Sequence, residues 1–515
     1  MIFTTRGSGI LLHLSSLPSC FGVGDLGPGA HDFIDLLIAG GQQYWQFLPL
    51  IPTSRDLDNS PYMGLSAFAG NPMLISPELL IEDGLLEHDV LDALLIAAPQ
   101  FSEYLVDFAT LIPWKAELLA VAFTNFQDHP LRRKLPDFAA ANPWLNDYAL
   151  FMALREEQQG LPWHQWPEGL ARRQTSALAR ARKRLVAQIA YHEFVQFIFL
   201  RQWQRLRCHA VAKGVKLIGD LPIYVAQDSA DVWALTECFQ LDPETLTPTY
   251  VAGVPPDYFS DSGQRWGNPL FDWNGGDLGA KERLYQWWRR RLAHQFSLVD
   301  IVRIDHFRGF EAYWQIPAGE SDAVRGAWIK GPGLKFFRRL ETDLGKLPII
   351  AEDLGVITPA VEKLRNALGF PGMKVLQFAF DSDAGNSYLP HNYSHRNWVV
   401  YTGTHDNDTA LGWYYSERVS SEAKTRLLRY ARSHAGGSIH WSFIRLALGS
   451  VADLVIIPLQ DVLGLGSDCR MNLPGTPQGN WRWRVAPRYL EVGAMEHLRR
   501  ECEFYNRLPG ASISQ

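Results

Sequence analysis

The chain has 515 residues, 47% hydrophobic and 20% charged, a composition that suits a globular protein with a large core. Lysine and arginine number 49 against 55 aspartates and glutamates, a net charge of −6 with no basic block, which excludes a nucleic-acid partner held by phosphate neutralisation. No stretch reaches the roughly 18–20 apolar residues that span a bilayer, so a membrane partner is not expected either.

The N-terminal MIFTTRGSGILLHLSS carries one arginine and a short apolar stretch without a cleavage pattern, so the expected compartment is the cytoplasm. Short β-rich runs then recur, each ending in a polar loop: 8–18, 44–53, 215–225, 298–309, 347–356, 373–380, 398–408 and 452–464. Several are continuously apolar, such as IVRI, PIIA, WVVYT and LVIIP, as in parallel strands buried on both faces. Helical patterns separate them at 281–296, 358–368 and 421–434, the second with Thr358 as a cap, Pro359 in its first turn and Glu362 placed for a capping box. Eight strands alternating with helices predict a (β/α)8 TIM barrel, an α/β fold whose bare form needs about 250 residues. The remainder is inserted material.

Residues 1–75 carry the first two strands and the loop after them. Residues 76–195, rich in Leu, Ala and Arg, predict a largely α-helical insertion between strands two and three. Residues 196–241 return to the barrel with strand three, and 277–515 supply strands four to eight and a C-terminal helix. Between them, 242–276 is dense in Pro, Gly, Tyr and Trp and reads as an irregular aromatic binding loop. Tryptophan is unusually frequent, at 18 residues. Trp266, Trp273, Trp413, Trp481 and Trp483 sit beside Gly, Pro, Asn or other loop residues, as flat faces for sugar rings or as packing. The cysteines, Cys20, Cys208, Cys238, Cys469 and Cys502, are odd in number and form no CxxC pair, so buried free thiols are expected and a disulfide scaffold is not.

Active sites on such barrels sit at the C-terminal ends of the strands. That rule selects Arg303, Asp305 and His306 after strand four, Glu352 and Asp353 after strand five, and His405, Asp406 and Asp408 after strand seven. Arg303 and Asp305 are two apart and share a strand face. An arginine beside a carboxylate lowers its pKa, which suits Asp305 as nucleophile and leaves Glu352 as the proton donor a glycosidase needs. Ion pairs and caps are the other reading of such carboxylates, and His405 beside Asp406 reads equally as a structural histidine. THDND also suits a hard cation, but no HExxH, DxDxDG or histidine cluster accompanies it, and no metal is expected. There is no GxGxxG after a strand and no GxxxxGK[ST], so no nucleotide cofactor is expected.

VRIDHFRG (302–309), IIAEDLG (349–355) and GTHDND (403–408) resemble motifs of the α-amylase clan. More narrowly, SGILLHLSSLPS, SPYMGLSAFAGNP, GDLPIYV, VPPDYFSDSGQRWGNP and LPGTPQGNWRWR resemble the 4-α-glucanotransferases, also called amylomaltases or disproportionating enzymes, from residue 8 to about 484. The resemblance implies transfer of α-1,4-glucan segments from a maltooligosaccharide or starch donor to an acceptor glucose or glucan, with retention. In it Asp305 is the nucleophile that forms a covalent glycosyl-enzyme, and Glu352 is the acid and then the base. Asp406 and His405 bond the hydroxyls of the sugar under attack, Arg303 orients Asp305, and Tyr62 stacks on the sugar. Asp220 lies at the mouth of strand three. Gln264 and Trp266 line the acceptor side, with Tyr258 and Phe259 at the loop tip, and Asn268 and His306 complete the substrate contacts. It implies no cofactor. An α-glucan hydrolase on the same barrel and a non-catalytic glucan-binding protein stay open as alternatives.

Overall fold

Apolar runs without alternation lack a face for water, and in the computed structural model they lie between the barrel interior and a helical jacket. The structure describes residues 2–256, 261–490 and 492–510. Its strands are β1 (Gly7–Leu11), β2 (Tyr44–Gln46), β3 (Lys216–Leu221), β4 (Tyr250–Val254), β5 (Gln264–Pro269), β6 (Ile301–Ile304), β7 (Ala312–Pro317), β8 (Ala327–Lys330), β9 (Ile349–Ala351), β10 (Gly372–Val375), β11 (Trp398–Tyr401) and β12 (Leu454–Pro458).

Eight of these form one parallel sheet in the order β10-β11-β12-β1-β2-β3-β6-β9. The Ala351 N–H donates to Pro371 O at 2.9 Å, joining the end of β9 to the segment entering β10. This is a (β/α)8 barrel, and each of the eight expected runs holds one of its strands. Every residue of β1, β2, β6, β9, β11 and β12 is buried. At the bottom, the buried Arg507 guanidinium donates to the carbonyls of Gly7, Leu448, Ser450 and Ala452, tying the C-terminal segment to the seam between β1 and β12.

Between β2 and β3 the chain is helical, with Phe108–Phe126, Trp144–Glu157 and Thr175–Arg184 leading into Val186–Lys213. That last helix runs without a break through residues 195 and 196 and delivers the chain directly into β3. Among the described residues no helix is long and apolar enough to cross a membrane. Helix Pro359–Leu368 starts where expected, but Thr358 makes no side-chain cap bond. Glu362 lies four residues after the cap position, one beyond the spacing of a capping box.

The stretch 242–276 is more ordered than an irregular loop. β4 and β5 pair antiparallel and join β7 and β8 in a four-stranded sheet of order β5-β4-β7-β8. Gly253 lets β4 approach β5, since a Cβ there would stand 2.2 Å from Gln264 O. All five cysteines are free, yet only Cys238 and Cys502 are buried; Cys20 and Cys208 are exposed. Trp273 packs on Trp288 and Phe336, and Trp413 on Phe380 and Phe443, so these two fill the core.

Gly9 pairs with Tyr44 across β1 and β2, and a Cβ on it would lie 2.4 Å from the Tyr44 carbonyl oxygen. Backbone cannot yield as a flexible side chain does. Gly9→Ala is expected to destabilise the barrel by about 1–3 kcal/mol, the usual cost of overpacking, read as a lower urea or thermal midpoint; an unchanged midpoint would show that the two strands can part without loss.

Candidate active site

The main-chain ladder continues one residue beyond two strands and fixes the first two carboxylates. Asp305 N–H donates to Leu221 O at 3.0 Å, and Glu352 N–H to Ile304 O at 3.1 Å. Both side chains therefore leave rigid strand ends at the barrel mouth, where Asp305, Glu352 and Asp406 are half-buried. Asp406 hangs on a turn after β11 that Asn407 closes by accepting the Thr404 N–H at 2.9 Å. Behind it, buried Asp461 accepts from the Thr402 hydroxyl and the Ala410 N–H and anchors the segment at both ends.

Arg303 and Asp220 lie beneath these groups, both buried. The Arg303 Nη1 stands 2.6 Å from Asp220 Oδ2 and 3.1 Å from Asp305 Oδ1. Tyr62 donates its hydroxyl to Asp220 at 2.8 Å, and the same oxygen lies 2.8 Å from His405 Nε2. A tyrosine has one proton to give, and it goes to Asp220, so the His405 Nε2 must bring a hydrogen of its own. The two rings stack at 5.2 Å and 17°. His405 Nε2 also lies 3.3 Å from Asp406 Oδ2, while Asn472 Nδ2 donates to Asp406 Oδ1 at 2.6 Å.

Glu352 accepts the N–H of His306 on Oε2 and of Leu354 on Oε1, both at 2.7 Å. The first bond needs His306 in the left-handed region, at φ 53°, a conformation unusual for a non-glycine residue and most often kept at functional sites. The His306 ring is buried and stands edge-on to Trp266 at 4.8 Å. Trp266 in turn donates its indole N–H to Gln264 at 3.1 Å.

Burial pushes the Glu352 carboxyl up to about 7, and the Asp305 charge adds to the rise. Asp305 is raised as well, again by burial first, with Arg303 working against it and Asp220 and Asp406 for it. An arginine neighbour alone led to the opposite expectation for Asp305. Desolvation at the barrel mouth outweighs it, and the Arg303 Nη1 that faces Asp305 is shared with Asp220. Burial also opposes ionisation of Asp406, but His405 and Asn472 reverse that and bring it down to about 2. The mouth thus holds one firmly ionised carboxylate beside a coupled pair, of which Glu352 keeps its proton to the higher pH.

The structure therefore gathers Asp305, Glu352, Asp406, Asp220, Arg303, Tyr62, His405, His306, Gln264 and Trp266 at one end of the barrel. Asn268 is buried, and its amide donates to Val225 O at 2.9 Å and to Met63 Sδ at 3.1 Å, so its described contacts are with the chain itself. Tyr258 and Phe259 lie outside the described residues. Asp353 forms a buried ion pair with Arg365, and Asp408 accepts from Thr409 N–H and the Ser467 hydroxyl at 2.8 Å; both serve the fold. Sequence reasoning passed over Asn472 and Arg470, which donates to the Asp406 carbonyl at 3.0 Å. It gave Trp481 no position, although its ring lies 5.7 Å from that of Tyr62. All three stand on the loop after β12, at the same barrel end, so the strand-end rule applied to the eighth strand was the available signal. Among the described residues no cluster of three or more His, Cys, Asp or Glu side chains is arranged to hold a metal ion.

A sequence model of the family described as 4-alpha-glucanotransferase matches residues 12–490. A 4-alpha-glucanotransferase of Synechocystis sp. is 51% identical, over 98% of both chains. One from Thermus thermophilus is 48% identical, over 98% of this chain and 99% of that protein. Among solved structures, the amylomaltase of Streptococcus agalactiae superposes with a TM-score of 0.92 at 38% identity, covering 98% of this chain and 99% of its own. The matches run through every strand and loop that builds the barrel mouth, and the chain belongs to the 4-α-glucanotransferase family.

Proposed function

We propose that this enzyme moves α-1,4-glucan segments from a maltooligosaccharide or starch chain to the 4-hydroxyl of an acceptor glucose or glucan, by double displacement at Asp305. The single observation that carries the reading is the gathering of three carboxylates at the barrel mouth, with Glu352 held by two backbone N–H groups, Asp305 beside Arg303, and Asp406 pinned by His405 and Asn472. In the first step an Asp305 oxygen attacks the anomeric carbon while Glu352 gives its proton to the departing glycosidic oxygen. The glycosyl ester on Asp305 then meets the acceptor hydroxyl. Glu352, now ionised, takes that hydroxyl's proton as the new glycosidic bond forms and the ester breaks. Asp406 and His405 accept and donate hydrogen bonds at the hydroxyls of the same ring, and Tyr62 and Trp481 offer apolar faces beside it.

Transfer and hydrolysis share this intermediate and differ in which hydroxyl reaches it. Trp266, on the edge strand β5 beside His306, provides sugar-stacking surface on the acceptor side and displaces water there. The reading has α-1,4-glucan donors and glucose or maltooligosaccharide acceptors as its partners, neither nucleic acid nor membrane, and the cytoplasm as its setting.

Incubation with maltotriose tests the class: transfer gives a ladder of longer maltooligosaccharides, hydrolysis gives shorter products alone, and a binding protein leaves the sugar intact. Asp305→Asn is expected to suppress the ladder by about 10⁴-fold or more, as loss of a nucleophile does; a ladder at full speed would refute the assignment of Asp305.

The pH profile follows from the carboxylate pair. Glu352 acts as acid only while protonated, so kcat/KM falls as pH rises through about 7, and it falls again in acid as Asp305 takes up its proton. Glu352→Gln is expected to lower the rate on maltotriose by about 10²–10⁴-fold and to remove the alkaline limb. It should spare the first step on α-maltosyl fluoride, whose leaving group needs no proton. An alkaline limb that survives the substitution belongs to another residue.

Trp266→Ala is expected to raise the ratio of glucose set free by hydrolysis to chain transfer several-fold, on the order of the 1–3 kcal/mol that a stacked ring contributes. Product ratios from labelled maltotriose measure it, and an unmoved ratio removes Trp266 from acceptor binding.

A further inference from the structure

A small cavity of about 30 Å³ lies behind the stacked Tyr62–His405 pair, and its lining includes His13, Ser16, Thr404, His405, Asp408 and Gln460. His13 stands two residues past the end of β1, and Gln460 two past the end of β12. Such a volume has room for about two waters. His13 and His405 are each more than nine-tenths buried. The Nδ1 atom of each is buried, and among the described residues neither has a hydrogen-bond partner. Buried ring nitrogens without partners are costly, and here two of them belong to residues that face one cavity, where polar groups stand among Leu11, Leu48, Met471 and Trp483.

We propose that His13 is a positioning residue for the glucan-transfer reaction, acting on His405 through water held between the two rings. The inference rests on the role assigned above to His405 and Asp406. His405 Nε2 already faces the Tyr62 oxygen and Asp406 and must carry a hydrogen. With Nε2 so engaged, the buried Nδ1 is left to find a partner of its own, and the cavity is where one is reached. The charged and titratable groups around His405 are Asp406, Arg303, Asp220, Asp305, Tyr62 and His13, with Asp408 and Arg470 on the same cavity. Burial disfavours a charge on His405, but Asp406 outweighs it and raises the ring from the ordinary histidine value. His13 goes the other way: burial first and then His405 bring it down to about 3. A neutral His13 has a bare nitrogen to offer, so one ring is fitted to accept, through water, what the other donates. Held in this way, His405 keeps its hydrogen on the Asp406 side and keeps Asp406 ionised toward the sugar.

The test is ¹⁵N-histidine NMR on the whole enzyme, with His405 assigned by the signal lost in His405→Gln. At pH 7 both ring nitrogens of His405 are expected to read as protonated in the native enzyme. In His13→Phe the ring reads as neutral, kcat on maltotriose falls about tenfold with KM within about twofold, and the acid limb of kcat/KM moves to higher pH. His13→Gln, whose amide oxygen can accept, restores the resonances and most of kcat. A neutral His405 in the native enzyme overturns the proposal without any variant, which covers the case of a His13→Phe that fails to fold. So does a His13→Phe enzyme with unmoved resonances and pH profile, whatever its rate. Failure of the wider reading looks different: Asp305→Asn then stays active while the His405 resonances still respond to His13.

Discussion

Arg303 sits under the barrel mouth with 4% of its side chain exposed and its guanidinium shared between Asp220 and Asp305. Four carboxylates, those of Asp220, Asp305, Glu352 and Asp406, crowd around this guanidinium. Burial opposes its charge, yet Asp220 and Asp305 hold it firmly protonated. Without it the cluster would gather like charges in a poorly solvated space, and the cheapest relief would be proton uptake by every carboxylate. With it, relief is selective. Asp220 pairs with it at the floor and Asp305 lies beside it above, while burial and then the Asp305 charge raise Glu352, which keeps a proton near neutrality.

The scaffold converts that charge arithmetic into fixed positions. Asp305 and Glu352 are the residues immediately after β6 and β9, and ladder hydrogen bonds still hold their own backbone. His306 bends back through a left-handed conformation so that its N–H reaches Glu352. Asp406 has no strand beneath it and is instead pinned from the side by Asn472 and His405, and by Arg470 at its carbonyl. Two of the three carboxylates thus inherit their placement from the sheet. The third depends on loops from β11 and β12 agreeing with one another.

How much of this was legible in the sequence follows from how local each signal is. IVRI and LVIIP announce buried strands by themselves, because a run without polar residues has one stable setting. The sheet of β4, β5, β7 and β8 announces nothing. YVAGV and AWIK are short and mixed, and their partners lie elsewhere in the chain, so only the folded pairing makes them strands. The strand-end rule picked out Asp305, Glu352 and Asp406, yet it picked out Asp353 and Asp408 with equal force. What separates them is Arg365 for the one and Ser467 for the other, partners no motif specifies. The direction of the Asp305 shift failed for a similar reason: adjacency to Arg303 was visible, while burial and the competing claim of Asp220 were not.

The seam closed by β1 and β12 has a consequence for how the molecule is made. β1 hydrogen-bonds along its length to β12, and Arg507 grips the carbonyl of Gly7 from 500 residues away. β1 is therefore synthesised long before the neighbour that must lie against it, and the Arg507 clasp follows later still. A nascent chain must shelter the apolar edge of β1 through that interval, so this architecture places a demand for chaperone protection on the segments made before the ring can close.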